Sequence, residues 1–273
     1  MLGEKDKMEL HRNLIELYSS FQRSAQIPVE LQERLSPPLL LCPTERWIEN
    51  NNRVLIVGQE TLGWDFGRGS YYQWDYPDLS SFKDFLKVGV SVEALIYGYK
   101  VFEFARQQPE NYRSPFWQAY RQIRRNFDKE VDGIETSVLW TNLFRMSLDG
   151  GSVIKNASTE EQVIIRRETA NLLLSEVKLL QPNIVLFFTG PDYNDMLCSE
   201  FAGLSLEKFG NYDTSRTAWV SHNALPPISL RTYHPNYLHY RHWKIVDEIE
   251  KAIVKKSHKK ALKRDAAKSR RAT

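Results

Sequence analysis

Apolar residues recur at helical spacing near the start of the chain, where Leu10, Leu14, Leu17 and Phe21 share one face until Pro28 and the Pro37-Pro38 pair interrupt the pattern. This predicts a mostly helical first fifty residues that cap a core. The pattern then changes to short apolar runs. Arg53 to Val57 predicts a buried strand ending at Gly58, and Ser137 to Trp140 a second strand ending in Thr141-Asn142. Ile184 to Phe188 predicts a third, leaving through Thr189-Gly190-Pro191-Asp192, and Pro227 to Thr232 a fourth, just before His234. Between the first two strands, residues from about Phe82 to Phe127 read as helices with aromatic anchors such as Phe85, Tyr97, Phe102, Phe116 and Tyr120, most of which are assigned to the core. Ser158 with Glu161 three positions on forms a capping box, opening a helix expected to run to about Leu180 before Pro182.

Strands separated by helical segments imply right-handed crossovers and a parallel sheet with helices on both faces. All four exits then share one rim, where open α/β sheets bind their ligands. That places Glu60, Asn142, Asp192 and His234 around one cleft, although they are spread over most of the chain. The long segment from Thr61 to Tyr76, rich in Gly and aromatic residues, is expected to be functional.

With 273 residues and 42% of them hydrophobic, the chain can bury a full core, and nothing forces a second domain. We expect one α/β domain over 1–250 with its N-terminal helical cap, followed by a basic C-terminal tail, 251–273. The net charge of +3 conceals an asymmetry: Lys251 to Thr273 carries ten Lys or Arg against Asp265 alone, leaving the body acidic. Such a tail favours a polyanionic partner. The charged start and the lack of a long apolar run predict a soluble, unsecreted, cytoplasmic protein with no membrane partner. Cys42 and Cys198, the only cysteines, are too few for a four-thiolate iron-sulfur cluster and read as free thiols.

P-loop, G-x-G-x-x-G, H-E-x-x-H and G-x-S-x-G patterns are all missing. His234, His239 and His242 lack an acidic or Cys partner at matching spacing, so no metal and no cofactor is expected. A carboxylate, an amide and an imidazole at three strand ends remain. That set suits cleavage of an N-glycosidic bond. Glu60 stabilises the positive charge that develops at C1′ and orients water; His234 stabilises the departing base; Asn142 reads its Watson-Crick edge.

Gly58-Gln59-Glu60-Thr61-Leu62-Gly63 resembles the water-activating G-Q-D-P-Y-H motif of the uracil-DNA glycosylase superfamily. Leu139-Trp140-Thr141-Asn142 resembles the family strand whose Asn reads the base, and Phe187-Phe188-Thr189-Gly190 its phosphate-gripping glycine loop. Arg231-Thr232-Tyr233-His234-Pro235-Asn236-Tyr237-Leu238 is similar to its T-A-H-P-S-P-L segment. The four motifs occur in family order between about Arg53 and Trp243. The resemblance implies a three-layer α/β fold with a four-stranded parallel sheet in the order 2-1-3-4. It also implies that Leu238 wedges into the space left by a flipped nucleotide.

Two departures matter. The family acid is Asp or Asn, whereas this chain has Glu60, with Asp65 in reserve. The motif's Tyr, which excludes C5-substituted bases, falls on Leu62 beside Gly63. We therefore expect a base pocket formed by Gly58, Gln59, Leu62, Gly63, Trp64, Phe66 and Tyr72, with Tyr71 and Trp74 nearby, open to a C5-modified pyrimidine. The expected DNA contacts are Gly190, Arg231, Pro235, Asn236, Tyr237 and Leu238, with Trp243 left to packing. The expected activity is that of a monofunctional glycosylase acting on DNA, double-stranded with one nucleotide flipped out, in antiviral defence at the bacterial nucleoid; glucosylated hydroxymethylcytosine in phage DNA is the sharpest substrate. Alternatives are an ordinary uracil-DNA glycosylase of base-excision repair, a module that binds modified DNA without cutting it, and a hydrolase of free nucleosides or nucleotides.

Overall fold

The computed structural model describes residues 4–64, 78–102, 113–131 and 133–269. Helices α1 (Glu4–Ser24), α2 (Val29–Arg34) and α3 (Glu45–Glu49) precede strand β1 (Val54–Glu60). Leu14, Tyr18 and Phe21 are buried, so α1 covers the core on the face its spacing marks. Helices α4 (Phe82–Lys87), α5 (Ser91–Val101) and α6 (Pro115–Arg124) lead to β2 (Val138–Phe144). Then come α7 (Val153–Asn156), α8 (Thr159–Glu168), α9 (Leu172–Leu180) and β3 (Ile184–Phe188). A 3₁₀ turn at Pro191–Tyr193 and α10 (Asn194–Glu200) precede β4 (Ser205–Lys208) and β5 (Thr217–Ser221). Strand β6 (Ile228–Thr232), α11 (Pro235–Arg241) and α12 (Lys244–Ser269) follow.

The fold is α/β, with a six-stranded mixed sheet in the order β2-β1-β3-β6-β5-β4 flanked by helices. Strands β1, β2, β3 and β6 pair in parallel, while β5 runs antiparallel to both β6 and β4. A sheet of four parallel strands was too small an expectation. The four runs visible in the sequence are the ones buried on both faces, which therefore read as nearly continuous apolar segments. Strand β4 is mostly exposed, and its Ser-Leu-Glu-Lys sequence has no such run. Polar side chains of this kind protect a sheet edge.

Two helix boundaries also differ from expectation. The capping box forms: the Ser158 hydroxyl accepts from Glu161 N–H, and the Glu161 carboxylate accepts from Ser158 N–H. The helix it opens nevertheless breaks between α8 and α9, where Asn171 takes φ of 63°. There the Glu200 carboxylate accepts the N–H groups of Asn171 (3.0 Å) and Leu174 (3.3 Å), a tertiary contact that satisfies the start of α9. At the other end, residue 250 lies inside α12, which buries Ile245, Val246, Ile249 and Ile253, so the basic segment begins as a docked helix.

Strand alternation gives β2 two separate roles. Trp140 packs against Tyr99 of α5 and Trp117 of α6, whereas Thr141 accepts from the buried Arg145 guanidinium on the other side. Arg145 pairs with the buried carboxylate of Glu176 on α9, which also accepts from the Tyr18 hydroxyl at 2.9 Å. That network fastens α1 and α9 to the sheet.

Candidate functional site

The last residues of β1 and β2 build the site floor. Gly58 and Asn142 are directly opposed in the β1–β2 ladder. A Cβ at Gly58 would lie 2.3 Å from Asn142 Oδ1 and 3.2 Å from Phe116 Cε2, so only glycine lets the amide lie across β1. Asn142 Nδ2 donates to Thr61 Oγ1 at 3.1 Å, and Thr61 Oγ1 donates to Phe144 O at 3.0 Å, which fixes the amide plane.

At the end of β1, Glu60 lines the same hollow, and its Oε1 accepts the N–H of Ile154, at the start of α7, at 2.9 Å. Tyr193, from the turn after β3, neighbours this carboxylate; burial and the nearby negative charge push its phenol pKa up, so it remains protonated. The Tyr193 ring meets Phe144 edge-on, and Phe144 is the ladder partner of Glu60.

His234 comes from the exit of β6. It is the N-cap of α11, with Pro235 buried at the first helical position, where a missing N–H costs nothing. Its ring stacks on Phe116, with centroids 5.7 Å apart and planes 12° from parallel. Burial pulls the imidazole pKa down to about 4, so the ring is neutral near pH 7. Nδ1 accepts the Asn236 N–H at 3.2 Å, which puts the proton on Nε2. His234 is thereby a fixed neutral donor.

Glu60, Asn142 and His234 line one cavity of about 290 Å³, together with Thr61, Leu62, Gly63 and Asn236. Its aromatic wall is Trp64, Phe102, Phe116, Trp117 and Trp140. Trp64 meets Phe102 at 5.3 Å and Trp140 at 6.0 Å, and Trp117 meets Trp140 at 4.9 Å. Phe102 and Phe116 are thus wall residues as well as core. One signal pointed to Trp140: it stands two positions before Asn142 on the same strand, hence on the same face.

Several expected residues sit elsewhere. Asp192, expected in the same cleft, is exposed in the turn after β3 and does not line the cavity. Gln59 points away from the cavity and donates from Nε2 to Thr189 O at 2.8 Å, joining the β1 and β3 exits. Gly190, at φ of 69°, lies against the Tyr233 ring and Gln59 rather than on the cavity wall. Arg231 is buried and donates to the carbonyls of Thr214 and Ser215 (2.8 Å from Ser215), so it braces the β4–β5 connection and is closed to DNA. Leu238 is 0% exposed in the core, whereas its neighbour Tyr237 is 54% exposed. The helical geometry of α11 turns Leu238 inward, which argues against it as a wedge. Trp243 packs partly buried and donates to Gln122 at 3.1 Å, as assigned. Asp65, Phe66, Tyr71, Tyr72 and Trp74 lie outside the described residues.

Among the described residues no group of three His, Cys, Asp or Glu is placed to hold a metal ion, and no helix is long and apolar enough to cross a membrane. No protein-family model and no curated protein matches the chain. The functional reading therefore stands on the geometry of this cavity.

Proposed function

We propose that the chain is a monofunctional DNA glycosylase with a uracil-DNA glycosylase-like scaffold, and that it excises a flipped-out pyrimidine. The observation that carries this reading is the convergence of Glu60, Asn142 and His234 on one aromatic-walled cavity. Bond cleavage between C1′ and the base nitrogen leaves the electron pair on the base and positive charge on the sugar. The Glu60 carboxylate stabilises that charge and orients water, whose oxygen bonds to C1′ as its proton passes to the carboxylate and then, through solvent, to the departed base. Nε2–H of His234 donates to the oxygen on which the leaving base gathers negative charge. Asn142 supports this role because its Oδ1 accepts no hydrogen bond among the described residues, leaving the amide to pair with a base edge. Among the described residues no Lys lines the cavity to form a Schiff base, so the expected product is an abasic site in an uncut strand.

The mouth favours a base substituted at C5. Leu62 stands where the resembling motif has an aromatic ring and is 65% exposed, and no described atom lies within 4 Å of a Cβ built on Gly63. A glucosylated hydroxymethylcytosine of phage DNA is the substrate we assign, in a role of antiviral defence. A single-turnover assay compares DNAs containing that base, uracil or mismatched thymine, with abasic sites detected by alkaline cleavage. Release of the glucosylated base, abolished in Glu60→Gln and His234→Ala, is the expected result. Release from uracil alone rejects the substrate, and release from none rejects catalysis in favour of a binding module.

A further inference from the structure

Beside the cavity lies a set of aromatic rings that the proposed chemistry does not use: Tyr237 and Tyr240 are exposed, while Tyr233 and His242 are half-buried, Tyr233 packing against the core. Asn236 lines the cavity, and the next residue, Tyr237, stacks on Tyr233 with centroids 4.5 Å apart and planes 29° from parallel. On α11 and just beyond it, His242 lies 6.0 Å from Tyr237 with its plane 21° from parallel. Tyr240, one turn on from Tyr237, is 83% exposed. Scattered surface rings need no explanation. Here, however, the exposed Tyr237 is held between the half-buried Tyr233 and His242 in a stack that starts one residue from the cavity mouth.

The rings are already ordered by one another. Binding a flat partner would therefore cost little additional side-chain entropy. Exposed cations flank them: Arg241 ends α11, and Lys244 opens α12, with only an exposed pairing to Glu248 at 3.5 Å. Such a surface pair holds its charge loosely. Helix α12 continues into the basic segment after Lys251. Rings for bases beside cations for phosphates match the chemistry of an unpaired nucleic-acid strand. In a duplex, the base faces are covered by their neighbours. With Leu238 buried, its side chain is not free to fill the gap that flipping leaves in a double helix.

We infer that the Tyr233-Tyr237-His242 stack and Tyr240 form a platform for the unpaired bases next to the nucleotide in the cavity, so that the protein takes single-stranded DNA in preference to duplex. This rests on the reading of the cavity as a DNA site, and it changes the expected partner from double-stranded to single-stranded DNA.

Fluorescence anisotropy with the full chain tests it using three labelled probes of equal length: a thymine single strand, its duplex, and a strand whose bases are replaced by abasic spacers. Wild type is expected to bind the thymine strand most tightly. Tyr237→Ala and Tyr240→Ala each lower that affinity at least about fivefold, the low end for one base-ring stack, while binding to the abasic strand changes less than about twofold. Tyr237→Trp keeps a ring and restores the preference. Equal weakening on all three probes, or tighter binding to duplex, overturns the inference. If wild type binds the probes but ring removal has no selective effect, this inference alone fails. If wild type binds none of them and releases no base from any DNA, the glycosylase reading fails with it.

Discussion

The neutral state of His234 can be tested without knowing the substrate. Burial at the cavity, where Phe116 covers the ring, lowers its pKa from 6.5 to about 4, equivalent to about 3 kcal/mol in favour of the uncharged ring. Phe116→Ala removes the ring that covers the imidazole and admits water. The pKa should then rise by at least about one unit toward its ordinary value, because removal from water is what lowers it. An NMR titration of the His234 Cε1–H resonance, assigned by its loss in His234→Ala, reads both midpoints directly. The sign for stability follows. Between about pH 6.5 and about pH 4 the unfolded chain binds a proton that the native chain does not, so native stability falls as pH drops through that window. The contribution lost is at most about 3 kcal/mol, and less in Phe116→Ala, as urea denaturation at a series of pH values would record. A wild-type midpoint at or above the ordinary value, or one unmoved by Phe116→Ala, refutes both the neutral donor and the role of the ring.

Three further outcomes follow from packing. Gly58→Ala places a methyl against Asn142 and Phe116, so the amide must swing off Thr61; we expect a loss of about 1–3 kcal/mol by thermal denaturation and at least a tenfold slower single turnover, roughly one broken contact. Leu238→Ala should cost about 2–5 kcal/mol in equilibrium urea unfolding, as a buried leucine does; unchanged stability with a defect confined to duplex substrate would restore the wedge. Arg145→Met strands the buried Glu176 carboxylate and should cost about 3–5 kcal/mol, whereas Arg145→Met with Glu176→Met recovers much of that loss; a double variant no better than the single one argues against the ion pair as the cause.

By itself the sequence determined the four buried strands, the capping box at Ser158, the helical face of α1, and the clustering of Glu60, Asn142 and His234 at one rim. Each is a local signal: an apolar run, a cap spacing, or a residue standing at a strand exit whose direction the crossover rule sets. Tertiary structure alone decided which side chains face one another. It made the core residues Phe102 and Phe116 cavity walls as well, sent Gln59 toward β3, and buried Arg231 and Leu238. It also added β5, whose apolar run is only the three residues Ala218 to Val220, and the edge strand β4, whose polar sequence leaves no apolar run in the chain. Periodicity reports that a face will be covered, but the covering group comes from residues far away in sequence, and contacts such as Asn142 over Gly58 exist only once the ladder has formed.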